Sequence, residues 1–168
     1  TSGTGTGQPR GIVTAVNAGA GIAVTAAAAN AITADELLAL QPTVDPAYRN
    51  TGRCRYAFSD GILRIIRGLK DGQGRYLLNE PTNGAPATVW GMPFTIFTEM
   101  AAAPATGLVT ALFGDFSHYK TREVTGMGVV RLDQLYMANL QIGFLAYGRF
   151  GGNYVNPGNF TVKCLKQP

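Results

Sequence analysis

The sequence predicts an α+β fold within the length of one ordinary domain. Its 168 residues are enough to bury a substantial core without further cross-links. The first half mixes helical and extended patterns, whereas the chain beyond residue 80 consists mainly of strand patterns separated by glycine-rich turns. No internal repeat is visible. This distribution favours α+β over a regular βαβ succession.

Composition and charge exclude several classes of protein. Hydrophobic residues make up 46% of the chain, but no apolar run reaches the ~18–20 residues of a membrane span, and we expect a soluble chain. The net charge of +4 gives weak attraction to polyanions, unlike the concentrated basic face of a dedicated nucleic-acid binder. The arginines come closest to a patch at Arg49, Arg53, Arg55, Arg64 and Arg67.

The first forty residues predict two short strands and a helix. Residues 11–16 and 21–25 are expected to be extended pieces joined by a glycine-alanine turn. Thr33 followed by Glu36 forms a capping-box pattern, because each side chain can bond the other residue's backbone N–H. A helix is therefore predicted to continue through Leu40.

A strand and a second helix are predicted next. Residues 53–58 alternate between polar and apolar side chains, which is typical of a half-buried strand. Ser59 and Asp60 are good helix-capping residues, and residues 70–74 carry turn chemistry, in which Asp71 bonds its own backbone. The helix between them has one apolar face at helical spacing, formed by Ile62, Ile65, Ile66 and Leu69.

The second half predicts strands and turns. Hairpin strands are expected from 119 to 132, turning around Gly126-Met127-Gly128, and a long apolar strand from 135 to 150. Shorter strands are expected at 94–97, 108–113 and 160–165.

The glycine-rich opening, residues 3–11, invites a phosphate-binding hypothesis. A Walker loop needs Lys then Ser or Thr after its last glycine, but Gln8 and Pro9 follow Gly7 here. A dinucleotide loop must open a helix, whereas residues 11–16 predict a strand. A flexible turn is the better interpretation, and a small ligand- or nucleotide-binding domain using this loop is the alternative.

No catalytic or metal-binding set is apparent, so we expect no enzyme, no cofactor and no metal. The only histidine, His118, has no clustered partner ligand, which makes a zinc site or a triad improbable. Cys54 and Cys164 lie far apart without a Cys-x-x-Cys grouping. Both are expected to be buried, reduced thiols.

Four segments, taken in order, carry a family resemblance. They are the opening GTGTGQPRGI (3–12), LKDGQGRYL (69–77), WGMP (90–93) and FGDFS (113–117). Together they resemble segments that recur in this order in the major capsid protein of tailed bacteriophages, the family with the Hong Kong ninety-seven fold. The resemblance covers the chain from Gly3 to about Lys163.

The resemblance implies an architecture and a function. Residues 1–13 would be a linker from the peripheral domain, 14–128 the axial domain and 129–168 peripheral-domain strands. The N-terminal arm, extended loop and spine helix of the family have no counterpart here, so the resemblance implies a C-terminal fragment. The implied function is a structural shell subunit that self-assembles into pentamers and hexamers of an icosahedral phage or prophage head.

Partners and location follow from the same resemblance. The subunit would assemble in the bacterial host cytoplasm into the virion capsid and touch packaged DNA only non-specifically. Scaffold or decoration proteins are further candidate partners, and no membrane is expected. Turn residues between packed elements are the candidate subunit contacts, namely Lys70, Asp71, Arg75 and Glu99.

The resemblance also raises the question of covalent cross-linking. Some members of the family join a lysine of the extended loop to an asparagine on a peripheral-domain strand, with a nearby glutamate taking up the proton. Asn139 lies near the corresponding position, but the segment 135–150 contains no carboxylate. We therefore expect shells without such cross-links, because the attacking amine needs a base in reach.

Overall fold

The structure, a computed structural model, describes residues 2–19, 21–78, 88–156 and 161–168. It is a mixed α+β fold, as predicted. The described helices are α1 (Ile12–Asn17), α2 (Ala34–Leu40), α3 (Pro46–Arg49) and α4 (Asp60–Arg67). The described strands are β1 (Ile22–Thr25), β2 (Arg55–Phe58), β3 (Thr88–Val89), β4 (Met92–Ile96), β5 (Val109–Gly114), β6 (Tyr119–Leu132), β7 (Gly143–Tyr154) and β8 (Val162–Lys166).

Two sheets organise the described strands. The larger has the order β1-β8-β5-β2-β4-β3, and β6 with β7 forms a separate antiparallel pair. Strand β8 runs parallel to β1 and antiparallel to β5. The expected boundary between residues 128 and 129 falls inside β6, and β8 lies in the larger sheet instead of beside β7. The segment 129–168 is thus divided between the two sheets.

The core lies on both faces of the larger sheet. Alternate strand residues point to opposite faces, so Tyr56 and Phe113 pack beneath α2 and α4, with ring centroids 4.7 Å apart. The Tyr56 hydroxyl donates to the Leu37 carbonyl over 2.9 Å, which ties α2 to the sheet. On the opposite face, Leu112 and Cys164 pack against α1.

The predicted caps of α2 and α4 are confirmed. Thr33 accepts a hydrogen bond from the Glu36 N–H, and Glu36 accepts one from the Thr33 N–H, which completes the capping box. Ser59 accepts from the Ile62 N–H at the start of α4. Its hydroxyl also donates to the Ala101 carbonyl over 2.6 Å, which fixes the helix terminus against a loop.

The prediction of a strand at residues 11–16 is wrong, because this segment forms α1. Its β-branched residues favour a strand locally, and Gly11 at the N-cap provides no side-chain cap. Burial of Ile12, Ala15 and Val16, at helical spacing, overrides that local preference. The glycine-rich loop therefore does precede a helix.

The predicted turn at Gly126-Met127-Gly128 is also wrong. Strand β6 is continuous, and its register shifts between the Val124–Arg149 pair and the Gly128–Tyr147 pair. Four steps on β6 match two on β7, so the glycines accommodate a bulge instead of a reversal.

The reversal between β6 and β7 lies at residues 133–142 and contains a 3-10 turn, Met137–Asn139. The strand expected from 135 therefore begins at Gly143, and Asn139 lies in the turn. The strand expected at 160–165 is β8, except that Phe160 lies outside the described residues. The Trp90-Gly91 segment is a two-residue turn between β3 and β4, in which both residues have positive φ, 47° and 77°.

Candidate functional site

The hairpin of β6 and β7 is the most exposed apolar feature of the described chain. Phe144 and Phe150 are 71% and 74% exposed, and Leu140 at the tip is 96% exposed. An isolated two-stranded sheet is marginally stable in water, and a large exposed apolar patch marks an interaction surface. The hairpin therefore has the character of a surface that another polypeptide covers.

The base of the hairpin is fixed to the body of the protein. Tyr154 is buried, and its hydroxyl bonds the Thr161 hydroxyl over 2.7 Å and accepts from the Val162 N–H over 3.1 Å. The Tyr119 hydroxyl donates to the Arg10 carbonyl over 3.0 Å. The direction in which the hairpin leaves the larger sheet is set by these bonds.

The two faces of the hairpin differ in chemistry. Residues opposite each other in an antiparallel ladder share a face, and successive residues alternate. The face that we call the apolar face continues from Tyr119 and Tyr154 at the base and also carries Glu123 and Arg131. Its apolar members along the hairpin are Val129, Phe144, Ala146 and Phe150.

The opposite face, which we call the basic face, is cationic towards the base. It carries Lys120, Arg122 and Arg149, and its tip half carries Val130 and Leu145. The three cations are exposed. Among the described residues none of the three forms an ion pair.

Three of the four predicted contact residues come together in one turn. The Asp71 carboxylate accepts the N–H groups of Arg75 and Gln73, each over 2.9 Å, and the Arg75 side chain over 3.1 Å. The backbone bond from Arg75, followed by that from Gln73, holds the pKa of Asp71 below its ordinary value. Lys70 lies 4.8 Å from the Tyr76 ring centroid. Glu99 is exposed in a different turn, after β4.

The glycine-rich loop is an ordered turn that bonds to its own chain. The Gly11 N–H donates to the Gly3 carbonyl, and the Arg10 N–H donates to the Gly152 carbonyl on β7, each over 2.8 Å. Gly5 and Gly7 adopt φ values of 88° and 68°, which other residues rarely adopt. The loop and residues 148–153 border an open cleft of about 870 Å³.

The titratable groups near α3 have structural roles. The His118 ring contacts Tyr48 edge-on, with centroids 5.8 Å apart. Burial opposes ionisation of Asp115, but bonds from the Ser117 N–H and hydroxyl, with His118 and Arg53 nearby, outweigh it and hold its pKa below the ordinary value. Within residues 2–19, 21–78, 88–156 and 161–168, no group of His, Cys, Asp and Glu could hold a metal ion.

Both cysteines are free and buried, as predicted. Burial raises the pKa of the Cys164 thiol to about 11, against the weaker effects of Lys166 and Lys163. Burial also raises the pKa of Cys54, with a contribution from Asp115 and an opposing one from Arg49. Neither thiol has the lowered pKa of a reactive cysteine.

The fold is that of viral capsid subunits. The capsid of an empty GTA particle matches with a TM-score of 0.66 and 26% identity, over 86% of this chain and 49% of that one. The capsid of a native GTA particle matches with a TM-score of 0.65 and 26% identity, over 86% and 48%. Gordonia phage Cozz shares the fold at 19% identity, with a TM-score of 0.52, over 88% and 49%.

The model of the phage capsid family matches residues 1–163. The chain belongs to the phage capsid family. It spans about half the length of the capsid chains whose structures it matches. No similar sequence is found among curated proteins. In the described part of the chain, no helix is long and apolar enough to cross a membrane.

Sequence reasoning placed the subunit contacts in polar turns and expected a long apolar strand at residues 135–150, but it did not identify the basic face of the hairpin. The sequence did carry a signal for the exposed hairpin. In residues 129–150, apolar side chains occupy both alternating sets of strand positions, whereas a half-buried strand carries them on one set only.

Proposed function

We propose that this chain is part of a shell subunit that self-assembles into the head of a tailed phage or phage-like particle and encloses DNA. The observation that carries this proposal is the family match over residues 1–163. The exposed hairpin supports it, because an apolar surface of this kind needs to be covered by a further polypeptide segment. Its role is structural, without catalysis.

The domain division that we propose follows the sheets. The axial domain comprises the larger sheet with its helices, so that residues 161–168 belong to it together with the described residues between 12 and 118. The hairpin, residues 119–154, belongs to the peripheral domain, and residues 2–11 link the two along the edge of β7. This division revises the expected boundary at residue 128.

We propose that the other half of the subunit packs against the apolar face of the hairpin. The matched capsid chains are about twice as long as this one. The family resemblance supplies a spine helix from that half, and a helix with an apolar stripe can cover Phe144 and Phe150.

Subunit contacts of the axial domain are proposed at Lys70, Asp71, Arg75 and Glu99. The Asp71 turn is fixed internally, so it presents a preformed charged surface to a neighbour. Charge reversal, Arg75→Glu, is expected to reduce the yield of capsomers, whereas Gln73→Glu in the same turn changes charge without breaking the ion pair. Equal yields for Arg75→Glu and the wild type remove this turn from the interface.

Assembly is proposed to occur in the bacterial host cytoplasm, in pentamers and hexamers, with scaffold or decoration proteins as additional partners. The test is negative-stain microscopy and light scattering of the full-length subunit. Shells are expected for the wild type and for Leu38→Asp, which places a charge on an exposed leucine of α2. The double variant Phe144→Asp with Phe150→Asp is expected to abolish shells.

Two outcomes contradict this function. One is a wild-type protein that remains monomeric under all assembly conditions. The other is a saturable thermal shift with nucleotides, which would favour the ligand-binding alternative at residues 3–11.

A further inference from the structure

The basic face of the hairpin carries cations that no described group neutralises. Lys120, Arg122 and Arg149 lie on one side of the ladder, because Arg122 pairs with Gly151 and Arg149 pairs with Val124. The two acidic residues of the hairpin region, Glu123 and Asp133, are placed elsewhere. Glu123 lies on the apolar face, and Asp133 pairs with Arg131 beyond the end of β6.

Two open clefts connect Arg122 and Arg149 with Arg10, and Lys120 lies two residues before Arg122 on the same face of β6. A cleft of about 440 Å³ is lined by Arg122, Val124, Arg149 and the adjoining β7 backbone. The larger cleft of about 870 Å³ is lined by Arg10, Arg149 and the glycine-rich loop. Arg149 borders both clefts, and no acidic residue lines either one. We call Arg10, Arg122, Arg149 and Lys120 the basic strip.

The surroundings of the basic strip suit phosphate groups. Thr4, Thr6, Gln8 and Asn153 also line the larger cleft, and the Gln8 side-chain amide donates to the Thr4 hydroxyl over 3.0 Å. Such donors contact the nucleic-acid backbone without reading bases. Along β6, Lys120 and Arg122 are two residues apart, about 6.8 Å. That distance is about twice the ~3.4 Å axial spacing of phosphates on one DNA strand.

We propose that the basic strip binds the phosphate backbone of double-stranded DNA, without sequence preference. The proposal deepens the proposed function, on which it rests, by assigning the DNA-contacting surface of the shell to one face of the hairpin. In this proposal the apolar face of the hairpin contacts polypeptide, and the basic face contacts the enclosed DNA. The net charge of the chain is only +4. Attraction of a polyanion therefore depends on the local positive potential of the basic strip and not on the net charge.

The test is the salt dependence of DNA binding by the unassembled full-length subunit. Fluorescence anisotropy with a short duplex of mixed sequence is measured between about 50 and 200 mM salt, and the slope of log K against log[salt] is about −0.9 per phosphate contact. The double variant Arg122→Gln with Arg149→Gln is expected to reduce the slope by about 2. The matched control, Arg55→Gln with Arg64→Gln, removes the same charge from exposed positions outside the hairpin and is expected to keep the slope.

The results distinguish failure of the DNA-binding proposal from failure of the proposed shell function. Equal slopes for the two double variants overturn the proposal, because binding would then follow total charge. Loss of shells in the basic-strip variant with an unchanged slope also overturns it, and identifies the face as a contact for an acidic protein segment. Failure of the wild type to form shells contradicts the proposed function and is scored by microscopy, independently of the slope. Unfolding followed by Trp90 fluorescence checks that each variant is folded.

Discussion

A glycine in the first turn of α4 gives the sharpest stability prediction. A Cβ built on Gly61 would lie 2.0 Å from the Ala102 carbonyl oxygen, closer than any real contact. The neighbouring Ser59 hydroxyl bonds the Ala101 carbonyl over 2.6 Å. The helix terminus is thus docked directly on this loop, and Gly61→Ala must push the two apart.

Three effects determine the change in the free energy of unfolding, of which one stabilises and two destabilise the variant. Replacing a helical glycine by alanine normally stabilises by about 0.5–1 kcal/mol. Relieving the overlap costs about 1–3 kcal/mol, and weakening the Ser59 bond costs about 1 kcal/mol more. We therefore expect Gly61→Ala to lower the free energy of unfolding by about 1–3 kcal/mol.

Urea unfolding of the chain, followed by fluorescence, measures this change. Trp90 is the single tryptophan and packs against the core cluster that includes α4. Gly72→Ala is the matched control, because a Cβ there meets nothing within 4 Å, and its effect should stay within about 0.5 kcal/mol of the wild type or be stabilising. If Gly61→Ala is as stable as Gly72→Ala, the close approach of α4 to this loop is refuted.

Three further predictions concern the cap, the thiols and cross-linking. Thr33→Ala should cost about 1 kcal/mol of unfolding free energy, measured in the same urea assay, because the Glu36 N–H loses its acceptor. The thiols should react slowly with a thiol reagent in the native chain and completely in denaturant. Since the folded pKa of Cys164 is raised from 9.0 to about 11, its contribution to stability is complete below pH 9 and lost as the pH rises towards 11. Denaturing electrophoresis of mature shells should show monomers. Residues 135–150, which include Asn139, contain no carboxylate that could act as the base for cross-linking.

Each of these predictions has a contradicting result. An unchanged urea midpoint for Thr33→Ala would show that the capping box contributes nothing. Fast labelling in the native state, or a two-dalton loss under non-reducing mass analysis, would contradict buried free thiols. A ladder of covalent multimers that disappears in Asn139→Ala would contradict the absence of cross-links.

The elements that local chemistry determines were predictable from the sequence. The Thr33–Glu36 box and the Ser59 cap are short-range signals, and both helices begin where those signals place them. The α+β class followed from the uneven distribution of helix and strand patterns. The family resemblance extended over nearly the same residues that the capsid family model matches.

The elements that tertiary packing determines were not predictable. Residues 12–17 have strand-like composition and become helical because the sheet offers a surface for Ile12 and Val16. The glycines at 126 and 128 have turn chemistry, but long pairing with β7 continues through them. The basic strip could not be predicted from the sequence for a related reason. Register across β6 and β7 brings Arg122 and Arg149 to one face, and no local pattern encodes a register.

The position of β8 has a consequence for the order in which the protein can be completed. Residues 162–166 are synthesised after both of their neighbours in the sheet, yet they lie between β1 and β5. A nascent chain that has not passed this point cannot join β1 to the rest of the sheet, since no other described strand bridges them. A chain interrupted before residue 162 would therefore lack a finished sheet, with β1 separated from the strands that follow β8 in the sheet order.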